Sequence, residues 1–198
     1  MLKVGITGGI GSGKTTICKV FELLGVPVYY ADNASRELLE NDTDIKNKVV
    51  HVFGENVLDS SSRIDRKKVA SVVFGNEEQL KKLNAIIHPA VALHFELWLK
   101  SHKTAPYILK EAAILFESGA YLQMDKVVTV SAPDELRITR VVKRDRVSSE
   151  EVEKRMKTQL SETERVKRSQ FVIVNDEKEL VIPQVMKLHH QLISESGI

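Results

Sequence analysis

The stretch Gly8-Gly9-Ile10-Gly11-Ser12-Gly13-Lys14-Thr15 decides the fold that we predict for this chain. It fits the phosphate-loop pattern GxxxxGK[ST]. The β-type run Leu2 to Thr7 precedes it, and from Lys14 onward apolar residues recur three and four positions apart, as on one face of a helix. A strand, a glycine-rich loop and a helix in this order predict an α/β fold that binds a nucleotide at the loop.

The residue types within the loop predict how a triphosphate is held. Backbone N–H groups turn inward around phosphate oxygens and the helix N-terminus adds the positive end of its dipole, at Gly8, Gly11, Ser12 and Gly13. Lys14 is expected to reach the β- and γ-phosphates, the Thr15 hydroxyl to ligate Mg²⁺, and Thr16 to meet the α-phosphate. The alternative is an ordinary glycine-rich turn between a strand and a helix, which does not require this octapeptide.

Short β-rich runs alternate with longer helical patterns, which predicts parallel strands joined by helical crossovers. The predicted strands are Leu2–Thr7, Val28–Tyr30, Tyr107–Glu111, Lys126–Val130 and Phe171–Val174. A final helix is indicated by Val181, Val185, Leu188 and Leu192, which share one face. The fold class is therefore α/β, a five-stranded parallel sheet flanked by helices as in P-loop nucleotide-binding proteins.

Two segments are expected to form additional helical parts. Residues 33–103 are too many for a simple crossover and form a helical lobe, in which Pro89 would bend or split the helix between Asn76 and His102. The stretch Arg137 to Arg168 carries eleven Lys or Arg against six acidic residues, and residues 140–168 form a mobile lid with few apolar anchors. The core then comprises residues 1–32, 104–139 and 169–198.

Composition excludes several classes of protein. The 198 residues carry a formal net charge of only +2, which disfavours a dedicated nucleic-acid binder. A single cysteine, Cys18, cannot form an internal disulfide, so a cytoplasmic location is expected. No run of apolar residues is long enough to cross a bilayer, and the N-terminus lacks the pattern of a signal peptide, so no membrane partner is expected.

The motifs of a regulatory GTPase are missing from the sequence. There is no Asn/Thr-Lys-x-Asp motif to read guanine, and no aspartate is followed three residues later by glycine. A phosphotransferase with an acceptor lobe is therefore the main interpretation.

Three charged positions are candidates for the chemistry. Asp32 follows a strand at the edge where the phosphate loop opens, which suits a catalytic base, although it could instead cap the next helix. Glu111 ends the third strand, where it could hold Mg²⁺ through water or pair with a basic residue. Arg140 shares a helix face with Arg137 and Arg144, and we expect it to stabilise the charge of the transition state when the lid closes.

The motifs together resemble those of the dephospho-coenzyme A kinase family, whose members catalyse the last step of coenzyme A synthesis. The likeness covers nearly the whole chain, through Thr7 to Lys14, Ala31-Asp32 with Arg36, Asn84 to Pro89, Ile114 to Glu117, Arg140, Arg144-Asp145 and Asn175-Asp176. Two positions depart from the usual family pattern. Ala113 stands where proline is common, and Glu177 follows Asn175-Asp176 where Asn-Asp/Asn-Gly is common.

This resemblance implies transfer of the γ-phosphate of ATP to the ribose 3′-hydroxyl of dephospho-coenzyme A, with Mg²⁺ as cofactor. It implies that Asp32 is the catalytic carboxylate and that Asn175 lies near the adenine. His88 and Pro89, together with Leu115 and Glu117, would bind the acceptor. His88 also fits a purely structural role beside a proline, and Glu117 could instead cap Ser118-Gly119.

Two other functions stay open at this point. Another small-metabolite or nucleoside kinase could use the same core, because the core determines the phosphate donor and not the acceptor. A nucleic-acid-binding protein gated by ATP could use the basic stretch Arg137 to Arg168, but the near-neutral total charge and the few aromatic residues disfavour it.

Overall fold

A five-stranded parallel sheet organises the chain in the computed structural model, which describes residues 1–197. The strand order is β2-β3-β1-β4-β5. The strands are β1 Leu2–Thr7, β2 Val28–Tyr30, β3 Tyr107–Glu111, β4 Lys126–Ser131 and β5 Phe171–Val174. The predicted fold class is confirmed, and all five predicted strands are present, with β4 one residue longer than expected.

Nine α-helices are described within residues 1–197. They are α1 Lys14–Leu23, α2 Ala31–Asn41, α3 Thr43–Phe53, α4 Arg66–Val73, α5 Glu77–Lys100, α6 Asp134–Asp145, α7 Ser149–Lys157, α8 Glu162–Arg168 and α9 Val181–Glu195. Short 3₁₀ helices cover Glu55–Val57 and Ala120–Gln123. No helix in this part of the chain combines the length and apolarity needed to cross a bilayer.

The central strand β1 is paired on both sides, with β3 and with β4. Because the chain leaves β1 to form α1 and the strand order diverges at this point, a crevice opens beyond the carboxyl end of β1, the usual ligand position in such sheets. The sheet packs on α1 and α9 through apolar side chains that are almost entirely buried, among them Val4, Ile6, Ile17, Phe21, Leu109, Val128, Val185 and Leu192. This core fixes the strand that carries the glycine-rich loop.

The chain divides into two compact units, residues 31–101 and the remainder of the chain. The 31–101 unit is helical and has a core of its own, formed by Ile45, Val49, Val57, Ile64, Val69 and Ile87. Its longest helix, α5, is continuous through Pro89. Of the bend or split predicted at Pro89, the split does not occur, because the apolar face that includes Ile87 and Phe95 stays buried on both sides of the proline.

The basic stretch is anchored more extensively than its composition indicates. Helix α6 runs without interruption through Arg140. Val152 of α7 and Arg165 of α8 are both fully buried, with 0% and 1% of their surface exposed. The α8 backbone is also attached to the sheet, because Ser169 Oγ donates to Arg165 O at 2.9 Å and lies 2.7 Å from Thr129 Oγ1 in β4.

Candidate active site

The phosphate-loop motif forms a tight backbone turn between β1 and α1. Three glycines have positive φ angles, 155° at Gly8, 79° at Gly11 and 92° at Gly13. Gly13 precedes α1 in the left-handed region, and the first amides of that helix have no acceptor within it. The Lys14 ammonium donates to Gly8 O at 2.8 Å, so the lysine side chain spans the loop. Thr15 and Thr16, in the first turn of α1, are exposed.

The turn is held from the end of β5 by Asn175. The Asn175 side-chain amide donates to Ser12 O at 2.8 Å. A Cβ atom on Gly13 would overlap that same amide nitrogen. Asn175, predicted from the resemblance to lie near adenine, is therefore also a support of the loop.

Two buried hydroxyl groups, one at the end of β1 and one in the loop, have no partner in residues 1–197. Thr7 Oγ1 and Ser12 Oγ are both inaccessible to solvent and form no hydrogen bond. A buried hydroxyl without a partner is costly, so these two groups fit a site whose remaining hydrogen bonds are made to a ligand. The glycine conformations and the helix N-terminus indicate that this ligand is anionic.

A second set of contacts holds Ile10, at the tip of the loop. Arg137 Nε of α6 donates to Ile10 O at 3.1 Å, and Gln159 Oε1, between α7 and α8, accepts from Ile10 N at 2.9 Å. Arg137 is buried and donates to Asp134 Oδ1 at 2.7 Å. The guanidinium also occupies the space that a Cβ on Gly9 would need.

Arg140 lies beside the same loop support but has different partners. Its Nη2 donates to Glu177 Oε1 at 2.9 Å and to Asn175 O at 3.1 Å. The buried Nη1 atom has no hydrogen-bond partner in the described chain. Arg144 is separate from this site, because it is exposed and pairs with Asp145. Of the three arginines predicted to share a helix face, Arg137 contacts the loop and Arg140 contacts Asn175, which supports the loop. Arg144 contacts neither.

Glu111 is buried at the end of β3, opposite Ile6 in the register of β1. It belongs to the face of the sheet that packs on α1. Burial, assisted by the Glu111 carboxylate, raises the pKa of the Cys18 thiol of α1 above its usual range. A buried acidic group next to the first turns of α1 fits the predicted role of holding a cation through water.

The segment after β3 contains Leu115 and Glu117, both predicted to bind the acceptor. Leu115 is fully buried and would contact any Cβ placed on Gly5 of β1, so its side chain belongs to the core. The exposed Glu117 accepts from Leu160 N at 2.7 Å, which ties it to the connection between α7 and α8.

The remaining predicted residues belong to the 31–101 unit. Asp32 lies within the first turn of α2, because the helix begins at Ala31. The alternative role of Asp32 as the N-cap of this helix is therefore wrong. His88 is partly buried in α5, and this burial lowers the pKa of its imidazole. Pro89 is exposed within the same helix. No group of three or more His, Cys, Asp or Glu residues in residues 1–197 forms a metal cluster.

Sequence reasoning missed Gln159 and Glu177. Both make their contacts with residues far away along the chain, Gln159 with Ile10 and Glu177 with Arg140. Glu177 carries one signal that could have identified it. It stands near the position where glycine is common in the family, and its φ of 66° is a left-handed conformation that glycine adopts at lower cost.

We predict that Gly13→Ala destabilises the protein more than Gly25→Ala does. Both glycines have left-handed φ angles, 92° and 80°, but a Cβ on Gly25 has nothing within 4 Å. Gly25→Ala should lower the free energy of unfolding by about 1–2 kcal/mol, from backbone strain alone. Gly13→Ala should lower it by the same strain and by about 1 kcal/mol or more from the collision with Asn175. Urea unfolding of both variants measures the difference.

The collision can be separated from strain in the Asn175→Ala background. There the cost of Gly13→Ala should fall toward that of Gly25→Ala, because the side-chain amide is gone. Equal costs of Gly13→Ala in both backgrounds would show that Asn175 does not restrict this turn.

Comparison with known proteins agrees with this geometry. The family model described as dephospho-CoA kinase matches residues 2–180. A dephospho-CoA kinase of Bacteroides fragilis (strain YCH46) is 38% identical over 187 residues, which is 94% of this chain and 91% of the relative. A crystal structure from Thermus thermophilus aligns with a TM-score of 0.84 at 31% identity, covering 98% and 97% of the two chains. A dephospho-CoA kinase from Campylobacter jejuni aligns with a TM-score of 0.67 at 28% identity, covering 99% and 98%. The chain belongs to the dephospho-CoA kinase family.

Proposed function

We propose that this protein transfers the γ-phosphate of ATP to the ribose 3′-hydroxyl of dephospho-CoA, giving CoA and ADP in the last step of CoA biosynthesis. The phosphate loop carries the donor half of the proposal, through its left-handed glycines, its helix N-terminus and the buried unpartnered hydroxyls beside them, and membership of this family carries the acceptor half. The proposed location is the cytoplasm.

The donor side of the reaction is assigned to the phosphate loop. Backbone amides around Gly11 and Gly13 and at the start of α1 bind phosphate oxygens, and Lys14 contributes its positive charge. Bound Mg²⁺ would offset the negative charge of the phosphates. The exposed Thr15 hydroxyl and the buried Glu111 carboxylate are the groups placed to hold it, directly and through water.

Arg140 is assigned to the transition state. Phosphoryl transfer depends mainly on positioning and on stabilising charge, for which a guanidinium is well suited. Nη1 of Arg140 is buried and lacks a protein partner among residues 1–197, while its other nitrogens are oriented by Glu177 and Asn175. This arrangement supports one nitrogen being reserved for a phosphate oxygen, with residues 140–168 acting as the lid that excludes water.

Acceptor binding is assigned to residues 33–103, and Leu115 and Glu117 are proposed as further acceptor-binding residues. Asp32 orients or accepts the proton of the attacking hydroxyl. His88 and Pro89 are assigned to the acceptor site from α5, and burial lowers the pKa of the His88 imidazole. Glu117 contributes its carboxylate, whereas the buried Leu115 contributes through its backbone.

An assay of ADP release across several acceptors tests the proposed function. The panel contains dephospho-CoA, AMP and free nucleosides, each with ATP and Mg²⁺, and the product is identified by mass spectrometry. We expect phosphorylation of dephospho-CoA alone, and a loss of several orders of magnitude in Lys14→Ala. Preferred transfer to a nucleoside or to AMP, or transfer to none of the acceptors, would refute the proposal.

We predict that Asp32→Asn lowers kcat by about 100-fold or more, because the side chain keeps its shape and loses the charge that orients the hydroxyl proton. Asp44→Asn is the matched control, since it makes the same chemical change in the first turn of α3 in the same unit. Steady-state kinetics with dephospho-CoA measure both variants. Near-normal turnover of Asp32→Asn would remove Asp32 from the chemistry.

We predict that Arg140→Ala lowers kcat by about 100-fold or more while KM for dephospho-CoA changes little, because the guanidinium acts on charge that develops in the transition state. Arg168→Ala removes an exposed arginine that pairs with Glu164 and serves as the control. A change confined to KM would assign Arg140 to substrate binding instead.

A further inference from the structure

The connection between α7 and α8, residues 158–161, contacts the phosphate loop through one side chain. Gln159 Oε1 accepts from Ile10 N at 2.9 Å. Because Arg137 Nε donates to Ile10 O, both backbone polar groups of Ile10 are held by side chains from outside the loop. Ile10 is flanked by Gly9 and Gly11, which impose little conformational preference, so its two peptide units are oriented by these hydrogen bonds together with the one that Ser12 N donates to Gly9 O at 3.1 Å.

The position of Gln159 is itself fixed by its neighbour Leu160. Leu160 N donates to Glu117 Oε1 at 2.7 Å, and Leu160 O accepts from Arg165 Nη2. Arg165 is 1% exposed, and its backbone carbonyl accepts from Ser169 Oγ beside β4. The connection is therefore anchored to the sheet, and the hydrogen bond of Gln159 links it to Ile10 at the tip of the loop.

We propose that Gln159 is a positioning residue for phosphate transfer, holding the Ile10 amide so that the phosphate loop keeps a bound triphosphate in the geometry that transfer requires. The proposal rests on the function proposed above. Gln159 does not contact the reacting atoms in this proposal. It affects phosphate transfer through the peptide unit between Gly9 and Ile10.

The neutral amide of Gln159 is suited to this position for an electrostatic reason. A carboxylate would accept the same hydrogen bond from Ile10, but it would place a negative charge at a loop that binds a triphosphate. Gln159→Glu therefore separates the hydrogen bond from the charge, and Gln159→Leu removes the hydrogen bond at similar volume.

Amide exchange of the protein without substrates tests the hydrogen bond itself. In the 22.3 kDa protein labelled with ¹⁵N, Gln159→Leu should accelerate exchange at Ile10 by about tenfold, the equivalent of one lost hydrogen bond. Gln159→Glu should retain slow exchange. Thr158→Val is the matched control, because Thr158 Oγ1 donates only to Arg155 O in the same connection and should leave Ile10 unchanged.

Kinetics of the same variants test the catalytic consequence. Gln159→Leu should lower kcat by about tenfold with KM for both substrates within about twofold, since the other loop amides still bind the triphosphate but the peptide unit at Ile10 no longer holds it in the geometry for transfer. Gln159→Glu should mainly raise KM for ATP. Thr158→Val should match the wild type in both parameters.

Two results would overturn the proposal. One is unchanged exchange at Ile10 in Gln159→Leu, and the other is faster exchange there with unchanged kcat. A failure of the proposed function appears differently, because it removes phosphate transfer from the wild-type protein and leaves the exchange of Ile10, measured without substrates, unaffected.

Discussion

The left-handed backbone of Gly13 is the constraint on which the site depends. At this residue the chain turns from the loop into α1, and the turn directs the first amides of the helix toward the mouth of the crevice beyond β1. The same conformation brings Gly13 so close to Asn175 that no side chain fits between them. Glycine is thus required for two separate reasons, the φ angle and the approach of a neighbouring side chain, and both serve to expose backbone N–H groups to an anion.

The fold could be predicted because its determinants are local in the sequence. The apolar runs of β1, β3 and β4 lack polar alternation, as strands buried on both faces do, and the stripe of Ile17 and Phe21 marks the covered face of α1. The split that Pro89 could have caused is absent, because the local rule for proline takes no account of the tertiary packing that keeps this helix continuous. The phosphate loop was predictable for the same reason as the strands, since its octapeptide contains the whole turn.

The supports of the site were harder to predict because they join residues far apart in the chain. No spacing rule connects Gln159 with Ile10 or Glu177 with Arg140, and each contact exists only once α6, α7 and β5 are packed. Charge patterning gave no sign of the buried contacts in the basic stretch, because few of its residues are apolar. Arg137 and Arg165 act as anchors instead, with buried guanidinium groups bonded to backbone carbonyls at Ile10 and Leu160.

The turn after β5 shows how one strained residue serves both the loop and the arginine. Asp176 Oδ1 accepts from the backbone N–H groups of Lys178 and Glu179, which closes the turn around Glu177. Glu177 therefore occupies a left-handed conformation that is unfavourable for a residue with a Cβ, and its carboxylate pairs with Arg140. On the other side of Asp176, Asn175 supports Ser12 with its side chain and accepts from Arg140 with its carbonyl oxygen. A distortion of this turn would displace the phosphate loop and the arginine together, so their relative position is set by three consecutive residues.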